Sequence, residues 1–306
     1  MTPMQQILLG FTTKDPQPFY GNRGVWFGGS CSNGNDTIQY RTINSTSSGT
    51  TDFGNLTVGR TYCSSCSNGE RGCTGGAENE DTIDYITIAT TGNATDFGNL
   101  TVARSTFSCM SGDGRGVWFG GYGSNNAGQT IDYITIDTTG NATDFGNATA
   151  TNREETSGCS NGSRGLSAGG QSPLTNVIEY ITIANTGNAS DFGDLTVSRR
   201  ALACSSSDTR GVWVGGRASS ALSNVMDYVT IDTTGNASDF GDISAIMRWA
   251  AVSNGTLGIV FGGQLNAGPT RGGLFKWTFD TLANATDAGD SSSSLRTKQQ
   301  GATSGD

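Results

Sequence analysis

Residues 92–101 read Gly-Asn-Ala-Thr-Asp-Phe-Gly-Asn-Leu-Thr, and residues 140–149 read Gly-Asn-Ala-Thr-Asp-Phe-Gly-Asn-Ala-Thr. The phrase returns, slightly altered, at 187–196 and 235–244. Its Asp-Phe-Gly core begins at Asp52, Asp96, Asp144, Asp191 and Asp239, with Asp287-Ala-Gly as a sixth copy, at steps of 44, 48, 47, 48 and 48 residues. A Gly-Gly pair keeps the same beat, ending at Gly29, Gly76, Gly121, Gly170, Gly216 and Gly263. Between each pair and its Asp-Phe-Gly lies a third recurring set: Ile38-Gln-Tyr40, Ile83-Asp-Tyr85, Ile131-Asp-Tyr133, Ile178-Glu-Tyr180, Met226-Asp-Tyr228 and Leu274-Phe-Lys-Trp277. Self-similarity at this period marks an array of stacked supersecondary units, and there are six of them.

Each unit holds four short segments of strand character. Around residue 120 they run from Arg104 to Ser111, Gly116 to Gly120, Thr130 to Asp137 and Ala142 to Thr149. The third alternates Ile131, Tyr133 and Thr135 with Asp132, Ile134 and Ile136, the period of two that a strand imposes. The Thr-Thr-Gly-Asn-Ala that follows carries the Gly-Asn chemistry of a hairpin turn. Four strands in about 45 residues define a propeller blade. The first unit lacks its first segment, and Arg296 to Asp306 supplies one: Ser304-Gly-Asp306 joined to Gly21-Asn-Arg-Gly-Val-Trp26 reads like Ser111 to Trp118. The sequence therefore predicts an all-β, six-bladed β-propeller over residues 21–306, with four-stranded blades and the first blade completed by the C-terminal strand. Residues 1–20 form an arm ahead of it. Closure of this kind leaves no open end to the ring.

Composition agrees and narrows the chemistry. Gly supplies 46 of 306 residues, only 15% are charged, and there is no His. Gly, Asn, Ser and Thr in place of Lys and Glu disfavour helices. The absent His excludes Ser-His-Asp and Cys-His nucleophilic chemistry and zinc sites that need imidazole. A net charge of −9 argues against nucleic acid as a partner. Ile7-Leu8-Leu9 is too short for a membrane span or a leader core and follows no basic residue, which predicts no membrane insertion and synthesis in a cytoplasm. In that setting the Asn-x-Ser/Thr sequons at Asn93, Asn141, Asn188 and Asn236 read as turn residues.

A Gly-Gly after a hydrophobic strand, an aromatic in the next strand and an Arg leading into the following unit together resemble the kelch repeat, over residues 21–306. Kelch blades usually place Trp in the fourth strand, where this chain has Phe53, Phe97, Phe145, Phe192 and Phe240. The near-identical Gly-Asn-Ala-Thr-Asp-Phe-Gly-Asn-Leu-Thr units are also similar to propeller repeats of tailed bacteriophages, cyanophages among them. That resemblance implies a structural protein of the virion, in a tail appendage or fibre or on the capsid surface, made in the host cytoplasm. Its partners would be other virion proteins and a host surface glycan.

Few side chains stand outside the repeat. Asp-Phe-Gly suggests the magnesium-holding motif of kinases, but five copies and no His favour a turn Asp and Gly flanking a buried Phe. Arg60, Arg104, Arg153, Arg199 or Arg200, Arg248 and Arg296 open the first segments. Arg23, Arg71, Arg115, Arg164 and Arg210 precede the second, with Leu257 in the last unit. Both sets are expected to clamp blade to blade, with the Asp-Phe-Gly aspartates as candidate partners, rather than to form an axial anion site. Cys66, Cys109, Cys159 and Cys204 recur in the first segment, where a small weakly polar side chain suits a crowded inner strand. Cys63-x-x-Cys66 with Cys73 has the wrong facing for a metal, so neither metal nor cofactor is expected, and free thiols are, with Cys31 the most exposed. Symmetric repeats leave few unique reactive groups, which argues against an enzyme.

The connections after each Gly-Gly differ from unit to unit and emerge on one face, the usual place for recognition on a rigid scaffold. Tyr122, Asn125, Asn126, Gln171, Arg217, Gln264 and Asn266 are the candidate side chains for contact with a glycan or protein. In the arm, Ile7, Leu8, Leu9 and Phe11 form an apolar cluster that predicts either docking onto another virion protein or packing along its own ring.

Overall fold

The structure is a computed structural model. It describes residues 21–29, 35–45, 49–151, 153–219, 221–247, 250–261, 264–265, 273–290 and 301–305. These residues form a six-bladed β-propeller, each blade a four-stranded antiparallel sheet. From the axis outward we label the strands a to d. Blade 1 uses Gly301–Gly305, Arg23–Phe27, Thr37–Thr42 and Thr51–Asn55. Blade 2 uses Ser64–Ser67, Arg71–Ala77, Glu80–Thr87 and Thr95–Asn99; blade 3, Ser108–Gly112, Arg115–Phe119, Thr130–Thr135 and Thr143–Asn147. Blade 4 uses Ser157–Ser160, Arg164–Ala168, Val177–Thr182 and Ser190–Asp194; blade 5, Ala203–Ser206, Arg210–Val214, Val225–Thr230 and Ser238–Asp242. Blade 6 uses Ala250–Ser253, Leu257–Phe261, Gly273–Thr278 and Thr286–Asp290. The ring closes as the ends of the sequence require: Arg23 faces Gly305, Val25 faces Thr303 and Phe27 faces Gly301 in antiparallel register.

The repeated phrase is a device for joining blades. Asp-Phe-Gly lies inside strand d rather than in a turn. Its Phe is the extra residue of a bulge, since Ile83 faces Gly98 and Asp84 faces Asp96 with Phe97 between them. Freed from its own ladder, the Phe97 carbonyl accepts the Gly140 N–H of the next blade at 2.8 Å. A Cβ on Gly98 would sit 2.4 Å from the Gly140 carbonyl oxygen, so only Gly admits this approach. The side chain of Asn141 then accepts the Asn99 N–H at 3.1 Å, and Asn93, Asn188, Asn236 and Asn284 do the same between other blades. The Gly-Asn therefore does not make the hairpin turn. The turn itself is closed earlier, by Thr138 N–H to the Thr135 carbonyl at 3.0 Å. Gly-Asn-Ala instead covers the outer edge of the preceding blade, which would otherwise stand open.

Packing between blades alternates. Trp26, Trp118 and Trp213 are fully buried in strand b of blades 1, 3 and 5, where blades 2, 4 and 6 carry Thr74, Ser167 and Val260. Each indole N–H donates back to the inner strand of the blade before, to Ala250, Ser64 and Ser157 carbonyls at 3.4, 3.1 and 3.0 Å. The thiols follow the same alternation. Cys66 and Cys159 face Cys73 and Leu166, whereas Cys109 and Cys204 face Trp118 and Trp213. Their positions are thus one residue apart, not equivalent, so Cys66 meets Cys109 across one blade junction and Cys159 meets Cys204 across another. Hydrogen bonding to Cys109 and burial push the Cys66 thiol well above its ordinary pKa. The neighbouring Cys66 does the same to Cys73, and burial to Cys204. Cys63, Cys66, Cys73, Cys109, Cys159 and Cys204 are buried and outside any disulfide; Cys31 lies outside the described residues.

Both arginine sets are structural, with one change of partner. Arg60, Arg104, Arg153 and Arg199 are buried and pair with Asp84, Asp132, Glu179 and Asp227 of strand c. The acids of Ile-Asp-Tyr are the partners, not those of Asp-Phe-Gly. Thr101, from the end of the repeated phrase, completes the Asp132 shell through its N–H at 3.0 Å and Oγ1 at 2.7 Å. The connector leaving one blade is thereby fastened to the next. In blade 6 the register puts Phe275 at the acid position, and counting back from Ala250 puts Ile246 at the arginine position. Arg248 and Arg296 lie outside the described residues. Register also makes Lys276, not Trp277, the counterpart of the tyrosines. In the second set, Arg23, Arg71, Arg115, Arg164 and Arg210 each stack on the tyrosine of their own blade. Each also donates to a carbonyl of the next blade, at Ile88, Ile136, Ile183, Ile231 and Phe279.

Candidate functional site

The Gly-Gly pairs and the d–a connectors build one face together. A Cβ on Gly120 would lie 2.4 Å from the Arg153 carbonyl oxygen, and Gly121 N–H donates to that same oxygen at 2.6 Å. The pair of glycines lets the next connector cross tightly over the end of strand b. Immediately beyond, Tyr122–Gly123 pairs with Arg104–Ser105 as a two-residue ribbon. Gln264–Leu265 pairs likewise with Ile246–Met247, and Gln171 and Arg217 bridge to Glu154 and Arg200. The b–c loops of blades 3 to 6 are therefore held against connectors at the same end of the molecule.

Two residues after each connector arginine the backbone turns to positive φ, at Tyr62, Thr106, Glu155 and Ala201. These four are linked in sequence, Thr106 N–H to the Tyr62 carbonyl at 3.0 Å, Glu155 to Thr106 at 2.7 Å and Ala201 to Glu155 at 2.9 Å. They precede the innermost strands, so they form an arc around the axis on the loop face. Their side chains differ where the backbone does not. Glu154-Glu155 stands where neighbouring blades have Ser105-Thr106 and Arg200-Ala201, and Arg200 forms an ion pair with Glu155.

This local divergence produces a cleft. Its volume is about 270 Å³, and its lining includes Tyr62, Glu78, Thr106, Tyr122, Glu154 and Gln171. Tyr122 is 63% exposed, the most exposed large apolar side chain among the described residues. A second cleft of about 330 Å³ opens beside Tyr122, against Asn126, Thr151, Glu154 and Ser172. Ser172 Oγ donates to Glu154 Oε1 at 2.7 Å. Thr106, only 8% exposed, is among the residues of the first cleft, and its hydroxyl is buried without a hydrogen-bond partner.

Of the sequence candidates, Tyr122, Asn126 and Gln171 share this region. Asn125 adopts positive φ beside Asn126 but lines neither cleft. Arg217 belongs to the next blade but one from Tyr122 and lines neither. Gln264 is placed by its backbone ribbon, whereas Asn266 and the arm residues Ile7, Leu8, Leu9 and Phe11 lie outside the described residues. The b–c connection of blade 2 is shorter than its sequence implied, because strands b and c extend to Ala77 and Glu80 around Glu78-Asn79. Tyr62, Glu78, Thr106, Glu154 and Glu155 were not read from the sequence. The signal available was a unique acidic pair at an otherwise repeated position. Among the described residues no group of three or more Cys, Asp or Glu could hold a metal ion, and no helix is long and apolar enough to cross a membrane.

Fold and face together define the class: a six-bladed β-propeller with one non-repeating, loop-built face. No protein-family model matches the chain, and no curated protein matches it.

Proposed function

We propose that the protein is a non-enzymatic interaction scaffold of a tailed-phage virion, attached by its arm and presenting the b–c loop face to a partner. The observation that carries the scaffold reading is the contrast between interior and face. The repeated Arg, Asp, Glu and Tyr are engaged with one another inside and between blades, while Tyr122 and its clefts occur where the repeat breaks. A rigid ring with one variable face is suited to recognition. The virion setting rests on the likeness of the repeated phrase to phage propeller repeats. Mass spectrometry of particles purified from an infected culture tests it: the chain is expected in fixed stoichiometry with the other virion proteins. Its absence from particles overturns the virion role.

A second reading, a free carbohydrate-binding propeller, is favoured by the exposed Tyr122 ring beside Asn126 and Gln171, since flat aromatic and amide groups suit a sugar. Binding of the isolated protein to neutral glycans on an array, abolished in Tyr122→Ala, would support it.

A further inference from the structure

We propose that the two thiol pairs buried between blades, Cys66 with Cys109 and Cys159 with Cys204, are latent staples. A hydroperoxide converts them to disulfides that join blade 2 to blade 3 and blade 4 to blade 5. Register brings each pair together. Cys109 and Cys204 lie opposite Trp118 and Trp213, and cross-strand partners project from the same face of a sheet. That face is turned to the preceding blade, because the two indole N–H groups donate to the Ser64 and Ser157 carbonyls there. Cys66 and Cys159 look the other way: a Cβ on Gly116 or Gly211 of the following blade would run into their sulfurs. Both members of each pair therefore enter one junction. Around Cys159 and Cys204 the inner strands are tied on both sides, by Trp213 to Ser157 at 3.0 Å and by Ser206 Oγ to the Ser160 carbonyl at 2.7 Å. Hydrogen bonding within the pairs agrees. Cys109 is the first cause raising the Cys66 thiol, and Cys159 follows burial in raising Cys204. At the remaining Trp junction Val252 meets Gly24 and Ala302 faces Trp26. A valine and an alanine fill the same positions, so packing alone does not call for facing thiols.

The chemistry balances with a peroxide as the oxidant. Cys109 and Cys204, each 8% exposed, meet it before the more enclosed Cys66 and Cys159, and before Cys73, which faces Cys66 but is fully buried. The exposed sulfur attacks one peroxide oxygen, the O–O bond breaks, and water leaves a sulfenic acid behind. The partner sulfur then attacks: the S–S bond forms, the S–O bond breaks and a second water departs with the remaining thiol proton. Two thiols are oxidised and one hydrogen peroxide is reduced to two waters. A reducing cytoplasm keeps such pairs as thiols, so the staples close only once the chain meets an oxidising environment.

The test treats the purified full chain with hydrogen peroxide, alkylates the remaining thiols and maps disulfides by non-reducing peptide mass spectrometry. Peptides joined through Cys66–Cys109 and Cys159–Cys204 are expected, with a thermal midpoint raised by about 5 °C and both changes reversed by dithiothreitol. In Cys204→Ser the second link and its share of the shift should vanish while Cys66–Cys109 still forms. Pairing of Cys66 with Cys73 alone, links only between chains, or sulfinic and sulfonic products without a disulfide overturns the proposal. So does an unchanged midpoint, or formation of the same links only after unfolding in urea, since the closed ring would then not be what aligns the sulfurs.

Discussion

A buried carboxylate is costly unless its hydrogen-bonding capacity is met, and Asp132 shows how the chain meets it. Arg104, the Thr101 N–H and the Thr101 hydroxyl converge on it. Burial pushes the Arg104 guanidinium below its ordinary pKa while Asp132 opposes that shift. Asp132→Ala is therefore expected to destabilise the protein by about 3–5 kcal/mol, read by urea unfolding. Blade 6 supplies a natural alternative in Ile246 and Phe275. Arg104→Ile combined with Asp132→Phe should consequently cost less than either change alone, a non-additivity measurable in a double-mutant cycle. The thiols give a pH dependence of definite sign. Cys66, Cys73 and Cys204 are raised when folded, so the folded chain holds protons that the unfolded chain releases above about pH 8.5. Their contribution is complete below that pH and is lost as pH rises toward the folded values. Stability should fall through the alkaline range, and a Cys66→Ala, Cys73→Ala, Cys204→Ala variant should show a flatter profile.

At the level of strands and turns, the alternation of Trp with small residues sets how blades meet. Trp118→Ala should cost about 3–5 kcal/mol, because the indole is fully buried and its N–H is bonded to Ser64. Asn141→Ala, at the exposed rim, should cost only about 0.5–1.5 kcal/mol, the worth of one hydrogen bond; thermal unfolding separates the two. Four strands per unit and the closure of blade 1 were legible because Asp-Phe-Gly, Gly-Gly and Ile-x-Tyr recur at fixed spacing. The role of Gly-Asn was not, since a pair that covers a neighbouring blade has the same composition as one that makes a hairpin turn. The arginine partner was missed for a related reason: two acids recur per unit and stand opposite each other in the register, and only their burial, Asp132 enclosed and Asp144 exposed, tells them apart. The clefts by Tyr122 were half legible. Loop divergence pointed to Tyr122, Asn126 and Gln171, but Tyr62 and Thr106 join the first cleft through a backbone arc between blades.

Over the whole ring, five blade junctions repeat the arginine–tyrosine clamp and the rim asparagine, and the sixth departs from them. Where blade 6 meets blade 1, Leu257 replaces the clamping arginine, Lys276 the tyrosine and Gly49 the rim asparagine. The junction relies instead on Trp26 against Phe261, with ring centroids 5.3 Å apart, and on Asn254 bonded to Asn22 and Asn44. Leu257→Arg with Lys276→Tyr would install the missing clamp toward the Ile43 carbonyl. It should raise stability by about 1 kcal/mol, seen as a higher urea midpoint. What compensates for the plainer junction is closure by strand a of blade 1. A photo-crosslinking amino acid in place of Thr303, with the adducts mapped by mass spectrometry, tests that closure most directly. Antiparallel pairing with strand b predicts intramolecular adducts on the peptide spanning Arg23–Phe27; adducts confined to other segments, or formed only between chains, would contradict the closed ring.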